Sequence, residues 1–203
     1  MEPLHSIEVR VLGALLEKEI TTPEYYPLTV NALVNACNQK SSREPVVNYG
    51  EDAVLQALSL LRNKGLALKI SGAGHRVEKY GHTLGEKLNL GRREVAVLCV
   101  LMLRGPQTVG ELRGRTERMY EFAEIEEVEH CLESLGGREP EPLVARMPRG
   151  RWAQLLGGTP EETPEPAGAG SASPADYEER IAALEREVGD LKQTLESFRR
   201  QFE

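Results

Sequence analysis

The amino-acid sequence predicts a mainly α chain with small β-hairpins, an α+β fold in which one arrangement of helices and hairpin is used twice and a single long helix follows. Three observations predict it. The apolar pattern of residues 7–16 returns at residues 93–102, Thr29-Val30-x-x-Leu33 returns as Thr108-Val109-x-x-Leu112, and Val54, Leu58, Leu61 and Leu66 return as Val128, Leu132, Leu135 and Leu143. Each copy closes with two short alternating runs around a glycine-containing turn, the signature of a β-hairpin. The last 28 residues carry a heptad pattern.

Residues 5–19 form the first predicted helix. Val9, Leu12, Leu15 and Leu16 recur at helical spacing, with Glu8, Arg10, Glu17 and Lys18 on the other side. Thr21-Thr22-Pro23-Glu24 stops that helix and restarts the chain, because Thr22 can cap and Pro23 suits a first helical position. Pro27-Leu28-Thr29 repeats the start signal, and a second helix runs to about Asn38. Residues 41–50 form a loop. A third helix over 51–64 turns Val54, Leu55, Leu58 and Leu61 inward. Its first turn is acidic and its last basic, as the helix dipole prefers, and Gly65 caps it. Residues 66–70 and 76–80 alternate like strands around the turn 71–75. Residues 83–91 connect to the second copy. That copy has helices predicted near 91–104, 108–118 and 124–136, and a hairpin of 143–147 and 151–155 turning through Pro148-Arg149-Gly150. Helix, helix, helix, hairpin is the order of a winged helix. The sequence therefore predicts two in tandem, residues 1–86 and 87–157.

Residues 158–175 are rich in Pro, Gly, Ala, Ser and Glu and have almost nothing to bury, which predicts a disordered linker. In residues 176–203, Tyr177, Ile181, Leu184, Val188, Leu191, Leu195, Phe198 and Phe202 are spaced alternately four and three apart, the seam of a coiled coil. Such a helix is about 40 Å long and marginal alone in water, so it needs a partner. A second copy of the chain is one partner; the winged helices of the same chain are the other. Parallel pairing sets Arg180 against Glu185 and Glu187 against Lys192; antiparallel pairing sets Glu178 against Arg199 and Glu185 against Lys192. The charges therefore choose neither orientation.

The net charge of −7 is a property of the tail. Residues 1–86 carry 9 basic and 10 acidic side chains, residues 87–158 carry 11 of each, and residues 159–203 carry 5 against 11. Near-neutral copies permit a basic face on each. There is no run of about 18 apolar residues, and Met1-Glu2-Pro3-Leu4-His5 has neither a basic patch nor an apolar stretch. Neither a membrane span nor a secretory leader is expected. Cys37, Cys99 and Cys131 are far apart within apolar helical patterns, which predicts three buried free thiols in a reducing cytoplasm.

Several longer strings are more specific. Glu8-Val9-Arg10-Val11-Leu12-Gly13, Glu17-Lys18-Glu19-Ile20-Thr21-Thr22-Pro23, Tyr26-Pro27-Leu28-Thr29-Val30-Asn31-Ala32-Leu33 and Ala36-Cys37-Asn38-Gln39-Lys40-Ser41 resemble the signature of the YceH family of bacterial proteins. Leu103-Arg104-Gly105-Pro106-Gln107-Thr108-x-Gly110-Glu111-Leu112-Arg113 resembles that family's second-half motif. The resemblance covers about residues 5–157. It implies two tandem winged-helix domains in a cytoplasmic bacterial protein, and it implies no reaction.

Asn31, Asn35 and Asn38 lie at i, i+4 and i+7 on one face of the second helix, extended by Gln39, Lys40 and Arg43. Asn costs a helix about a few tenths of a kcal/mol per residue, so three along one face are a local concession. They form either a hydrogen-bonding surface for phosphates, base edges or a partner chain, or amides that tie the 41–50 loop to the helix end. Basic residues gather elsewhere. Arg113 and Arg115 lie on the second helix of the second copy, Arg146, Arg149 and Arg151 on its hairpin, and Lys69, Arg76 and Lys79 on the first hairpin. These are the predicted phosphate contacts, since wings grip phosphates or enter a minor groove. Against ordinary major-groove reading, the third helix of each copy begins with carboxylates: Glu51 and Asp52 in the first, and Glu124, Glu126, Glu127 and Glu129, preceded by Glu121, in the second.

No glycine-rich phosphate loop follows a strand. His5, His75, His82 and His130 do not combine with the cysteines at metal-ligand spacing, and no Ser/His/Asp or Cys/His set stands out. Trp152 reads as core. The sequence thus predicts a non-enzymatic, cytoplasmic protein with no catalytic, cofactor or metal site. It is either DNA-binding and transcription-regulatory or a protein-interaction scaffold. The predicted partners are a second copy of the chain, double-stranded DNA or an unidentified protein, and no membrane.

Overall fold

Two helices buried on every side organise the computed structural model, which describes residues 2–70 and 77–158. In α1 (Ser6–Thr21) every residue from Glu8 to Leu16 is buried; in α5 (Arg92–Arg104) every residue from Val95 to Leu103 is buried. The two pack against each other, and the residues of both copies join one apolar core. Residues 159–203 lie outside the described residues. They hold the predicted linker beyond Gly158 and the whole predicted seam from Tyr177 to Phe202.

A helix enclosed on every side usually has apolar residues all round. α1 includes two charged side chains that the sequence pattern placed on its polar side, and that expectation is corrected. Glu8 accepts the His5 N–H at 2.8 Å and the Lys64 Nζ at 2.9 and 3.1 Å. Arg10 donates to the carbonyls of Cys37 at 3.2 Å and Pro45 at 2.7 Å. Burial is tolerated because each charge has hydrogen-bonding partners. α1 and α5 approach each other closely at Gly13. The Cys99 thiol donates to the Gly13 carbonyl at 3.4 Å, and a Cβ on Gly13 would lie 3.0 Å from Leu103 Cδ2 and 3.2 Å from Met102 Cβ. Gly13 and Cys99 occupy equivalent places in the two copies.

After α1 the restart signal makes a single 3-10 turn, Pro23–Tyr25. The Thr22 hydroxyl donates back to the Lys18 carbonyl at 3.2 Å instead of capping forward. β1 (Leu28–Thr29) leads into α2 (Val30–Cys37), followed by the loop and α3 (Glu51–Asn63). Leu55, expected inside, is exposed on α3. Gly65, at φ 64°, reverses the chain after α3, its N–H bonded to Arg62 O and the next to Leu61 O. β2 (Ala67–Ile70) and β3 (Lys79–His82) then form an antiparallel sheet in the order β1-β3-β2. β3 begins at Lys79, after Val77 and Glu78, later than the alternation predicted, which is a further correction. The observed register sets Tyr80 opposite Leu28 and Lys69. It buries Tyr80, brings the His82 N–H to the Tyr26 hydroxyl at 2.7 Å, and leaves Val77 outside. The predicted connector contains one helical turn, α4 (Leu84–Lys87), whose Leu84 is buried.

The same order recurs: α5, β4 (Gln107–Thr108), α6 (Val109–Thr116), α7 (Ile125–Gly136), β5 (Val144–Arg146) and β6 (Arg151–Gln154), with the sheet ordered β4-β6-β5. The fold is therefore mixed α and β, with two small three-stranded antiparallel sheets. The turn between β5 and β6 takes Arg149 and Gly150 to φ of 60° and 69°. Trp152 packs partly buried against the core, and all three cysteines are buried and unpaired. Among the described residues, no helix is long and apolar enough to cross a membrane.

Local devices repeat along with the order. Glu8 reaches back to the His5 N–H and Glu94 to the Gly91 N–H, at 2.8 and 2.6 Å. Thr29 and Thr108 cap α2 and α6, each hydroxyl accepting an N–H at 3.3 Å. At Thr108 the device is reciprocal, since Glu111 accepts the Thr108 N–H at 2.8 Å. Thr108→Ala is expected to cost about 1 kcal/mol, read as a lower urea midpoint at unchanged slope. Thr29→Ala, with no such carboxylate opposite, is expected to cost less. Equal midpoints for Thr108→Ala and wild type would contradict the assignment.

Candidate functional site

The predicted amide face of α2 divides in two. Asn31 and Asn35 are exposed, and Asn35 Nδ2 donates to Asn31 Oδ1 at 3.1 Å. Asn38 ends the helix and turns to the following loop. Its Nδ2 donates to the Tyr49 carbonyl at 2.9 Å, and its Oδ1 accepts the Tyr49 N–H at 2.8 Å. Gln39 is half-buried and Lys40 exposed.

Arg43 goes fully inside. Its Nη atoms meet the two Glu17 carboxylate oxygens at 3.0 and 2.6 Å, and its Nε and Nη2 donate to the Ala36 carbonyl at 3.1 and 2.9 Å. Together with Arg10 on Cys37 O, this arginine caps the last carbonyls of α2, which have no partner within the helix. Burial pushes the Glu17 carboxyl up, but hydrogen bonds and charge from Arg43, with Lys18, bring it net below its ordinary value. Burial also drives the Cys37 thiol up to about 12, against the pull of Arg43 and Arg10, so it is not a ready nucleophile.

The outward faces of α3 and α7 differ in charge. On α3, Glu51, Asp52, Leu55, Gln56, Ser59, Arg62 and Asn63 are exposed, so acid at the start gives way to amide, hydroxyl and guanidinium groups. On α7, Ile125, Glu126, Glu127, Glu129, His130 and Glu133 are exposed. Glu127 accepts the Ala123 N–H at 3.0 Å, which ties the residue before the Glu124 cap to the first turn of that helix. The later half of the α3 face escaped the sequence reading. Its signal was there in the polar residues opposite Val54, Leu58 and Leu61.

Several of the predicted phosphate contacts are engaged within the chain. Lys69 pairs with Glu78, which also accepts the Tyr80 hydroxyl. Arg113 donates to the carbonyls of Phe122 at 3.3 Å and Ala123 at 2.6 Å, pinning the connection from α6 to α7. Arg115 reaches Glu111 at 3.3 Å, and Arg151 reaches the Pro106 carbonyl at 2.9 Å with Glu111 at 3.6 Å. Lys79 is half-buried, while Arg146 and Arg149 are exposed on the second hairpin. Arg76 lies outside the described residues. Among the described residues, no three His, Cys, Asp or Glu side chains gather as metal ligands.

A family model described as "Protein of unknown function, DUF480" matches residues 4–151. That span holds the strings that resemble YceH. The UPF0502 protein of Solibacter usitatus is 56% identical over 206 residues, covering 98% of each chain. That of Geotalea uraniireducens is 51% identical over 218 residues, again 98% of each. That of Opitutus terrae is 50% identical over 200 residues, covering 93% of this chain and 83% of the relative. The chain therefore belongs to the DUF480 family of bacterial UPF0502 proteins.

Proposed function

We propose that the chain is a pair of tandem winged-helix domains, residues 1–86 and 87–157, that acts by binding and not by catalysis, and that the first of them docks on duplex DNA. The observation that carries this reading is the contrast between α3 and α7. The outward face of α3 ends in Ser59, Arg62 and Asn63. The end of α3 thus offers hydrogen-bonding and basic groups together beside the hairpin, a combination suited to phosphate contacts with some base reading. Asn31, Asn35 and Lys40 add a polar patch on α2. The matching face of α7 presents Glu126, Glu129 and Glu133, which a phosphate backbone repels.

The same contrast favours a second reading for the second domain. Exposed Ile125 beside those glutamates suits a basic protein partner, so the second domain serves as a scaffold while the first holds DNA. Duplex binding by the full chain is expected to weaken with salt, with a logarithmic slope of about −2 to −3 for a few phosphate contacts. Arg62→Ala is expected to reduce that slope by about one, and Glu129→Gln with Glu133→Gln to leave it unchanged. No binding to random or genomic duplex at low salt would overturn the DNA reading and leave the scaffold.

A further inference from the structure

Where the two copies meet, α1, the loop after α2, the C-terminal end of α5 and the end of α6 surround a cleft lined by Glu17, Thr21, Ser42, Arg104, Arg115 and Arg118, among others. Three guanidinium groups therefore face one carboxylate. That carboxylate is already committed, with both Glu17 oxygens held by Arg43 at 3.0 and 2.6 Å.

The three arginines keep most of their donors. Arg104 has one side-chain partner, the Ser42 hydroxyl at 2.8 Å, for a group with five N–H donors. Accepting that bond leaves the Ser42 O–H proton free to donate into the cleft. Arg115 reaches Glu111 at 3.3 Å, a carboxylate that also faces Arg151 at 3.6 Å. Arg118 is exposed, with no side-chain partner among the described residues. The electrostatics agree with the geometry. Burial, then the like charges of Arg115 and Arg43, bring Arg104 below its ordinary pKa, with Glu44 and Glu17 opposing. A guanidinium keeps its proton all the same, so an added anion is what relieves this local excess of positive charge.

Size narrows the class of anion. The cavity has a volume of ≈ 40 Å³, about three times what a single water molecule requires. The cleft admits a small oxyanion, and a sugar or base attached to it would lie toward the open side. A duplex phosphodiester, flanked by sugars on both sides, fits it less well than a terminal phosphoryl group. Planar, multiply donating guanidinium groups are matched to phosphate oxygens. We propose that this cleft binds a small phosphate-bearing ligand by its phosphoryl group, with Arg104, Arg115, Arg118 and the Ser42 hydroxyl as donors. Ser42 comes from the first copy and the arginines from the second, so the bound anion ties the two together. The inference is independent of the duplex reading, which uses α3 and the first hairpin.

The test uses the full chain and inorganic phosphate, titrated with ionic strength held constant by sodium chloride. A saturable rise in Tm of about 3 °C is expected at concentrations well above Kd. Arg118→Gln and Arg104→Gln are each expected to weaken phosphate by about tenfold or more, and Arg146→Gln to leave it unchanged. Arg118→Gln removes only an exposed side chain, so its Tm in chloride alone should match wild type. Adenosine 5′-monophosphate should compete with phosphate, and adenosine should not. The proposal is overturned if phosphate does no more than chloride, or if its effect survives in both cleft variants. It is also overturned if a short duplex lacking terminal phosphates displaces phosphate through these same arginines.

Discussion

Arg43→Met is expected to destabilise the fold by about 3–5 kcal/mol at neutral pH, the usual cost of removing one partner from a buried ion pair. Two losses combine. Glu17 is left as an uncompensated carboxylate whose side chain is only 12% exposed, and the Ala36 carbonyl at the end of α2 loses both its donors. The pH dependence separates them. In the wild type the Glu17 pKa is depressed on balance. The contribution of the pair is therefore present above the ordinary carboxylate value and lost as pH falls through the folded one. Without Arg43, burial dominates and pushes the carboxyl up, with Lys18 at 3.5 Å opposing. The variant should then recover part of its loss on acidification, as Glu17 takes up a proton. Urea unfolding at neutral pH and near the carboxylate range checks both halves. A deficit below about 1 kcal/mol would mean that the pair acts as a surface salt bridge, and one that grows on acidification would mean that Glu17 is not the group left uncompensated.

Gly13→Val should cost about 3 kcal/mol or more through overpacking, and even Gly13→Ala should destabilise. A glycine inside a helix normally carries a penalty of about 0.5–1 kcal/mol relative to alanine, so the sign is informative. At Gly13 the new Cβ would sit 3.0 Å from Leu103 Cδ2, 3.1 Å from Leu103 Cγ and 3.2 Å from Met102 Cβ. The first of these atoms can yield; the Met102 Cβ is fixed to the α5 backbone. Gly114 provides the control, a helical glycine in α6 with nothing within 4 Å of its added Cβ. Gly114→Ala is expected to stabilise by up to about 1 kcal/mol. Opposite signs in urea midpoints support close packing of α1 on α5. Stabilisation by both substitutions would sink it.

Features specified by neighbouring residues were legible in the sequence. Gly65 ends α3 because its own φ of 64° suits glycine, and Thr29 and Thr108 cap the helices they precede. Features specified from a distance were not. Arg10 reads as solvent-facing because its acceptors lie 27 and 35 residues away, and Lys64 finds Glu8 across 56 residues. The start of β3 was misplaced because alternation alone does not register a strand. The Tyr26 hydroxyl on the His82 N–H and Leu28 opposite Tyr80 do so, through contacts that begin before α2. The candidate site was half legible for the same reason. Helical spacing correctly groups Asn31 with Asn35, but Asn38 ends the helix and answers to Tyr49. Arg43, read as polar surface, is claimed by a carboxylate 26 residues earlier.

The crossing of α1 and α5 has a consequence for how the copies could diverge. Two identical separate chains related by a two-fold axis set a residue against its own copy wherever their contact lies on that axis. At this crossing that would mean glycine facing glycine, with a void between, or cysteine facing cysteine, with too little room. Joined in one chain, the copies set Gly13 against Cys99, small against large, and the contact closes with a thiol on a carbonyl at 3.4 Å. Covalent linkage thus frees each copy from matching the other. The liberty used at the buried crossing is the same one that lets α3 end in amide and guanidinium groups while α7 stays acidic.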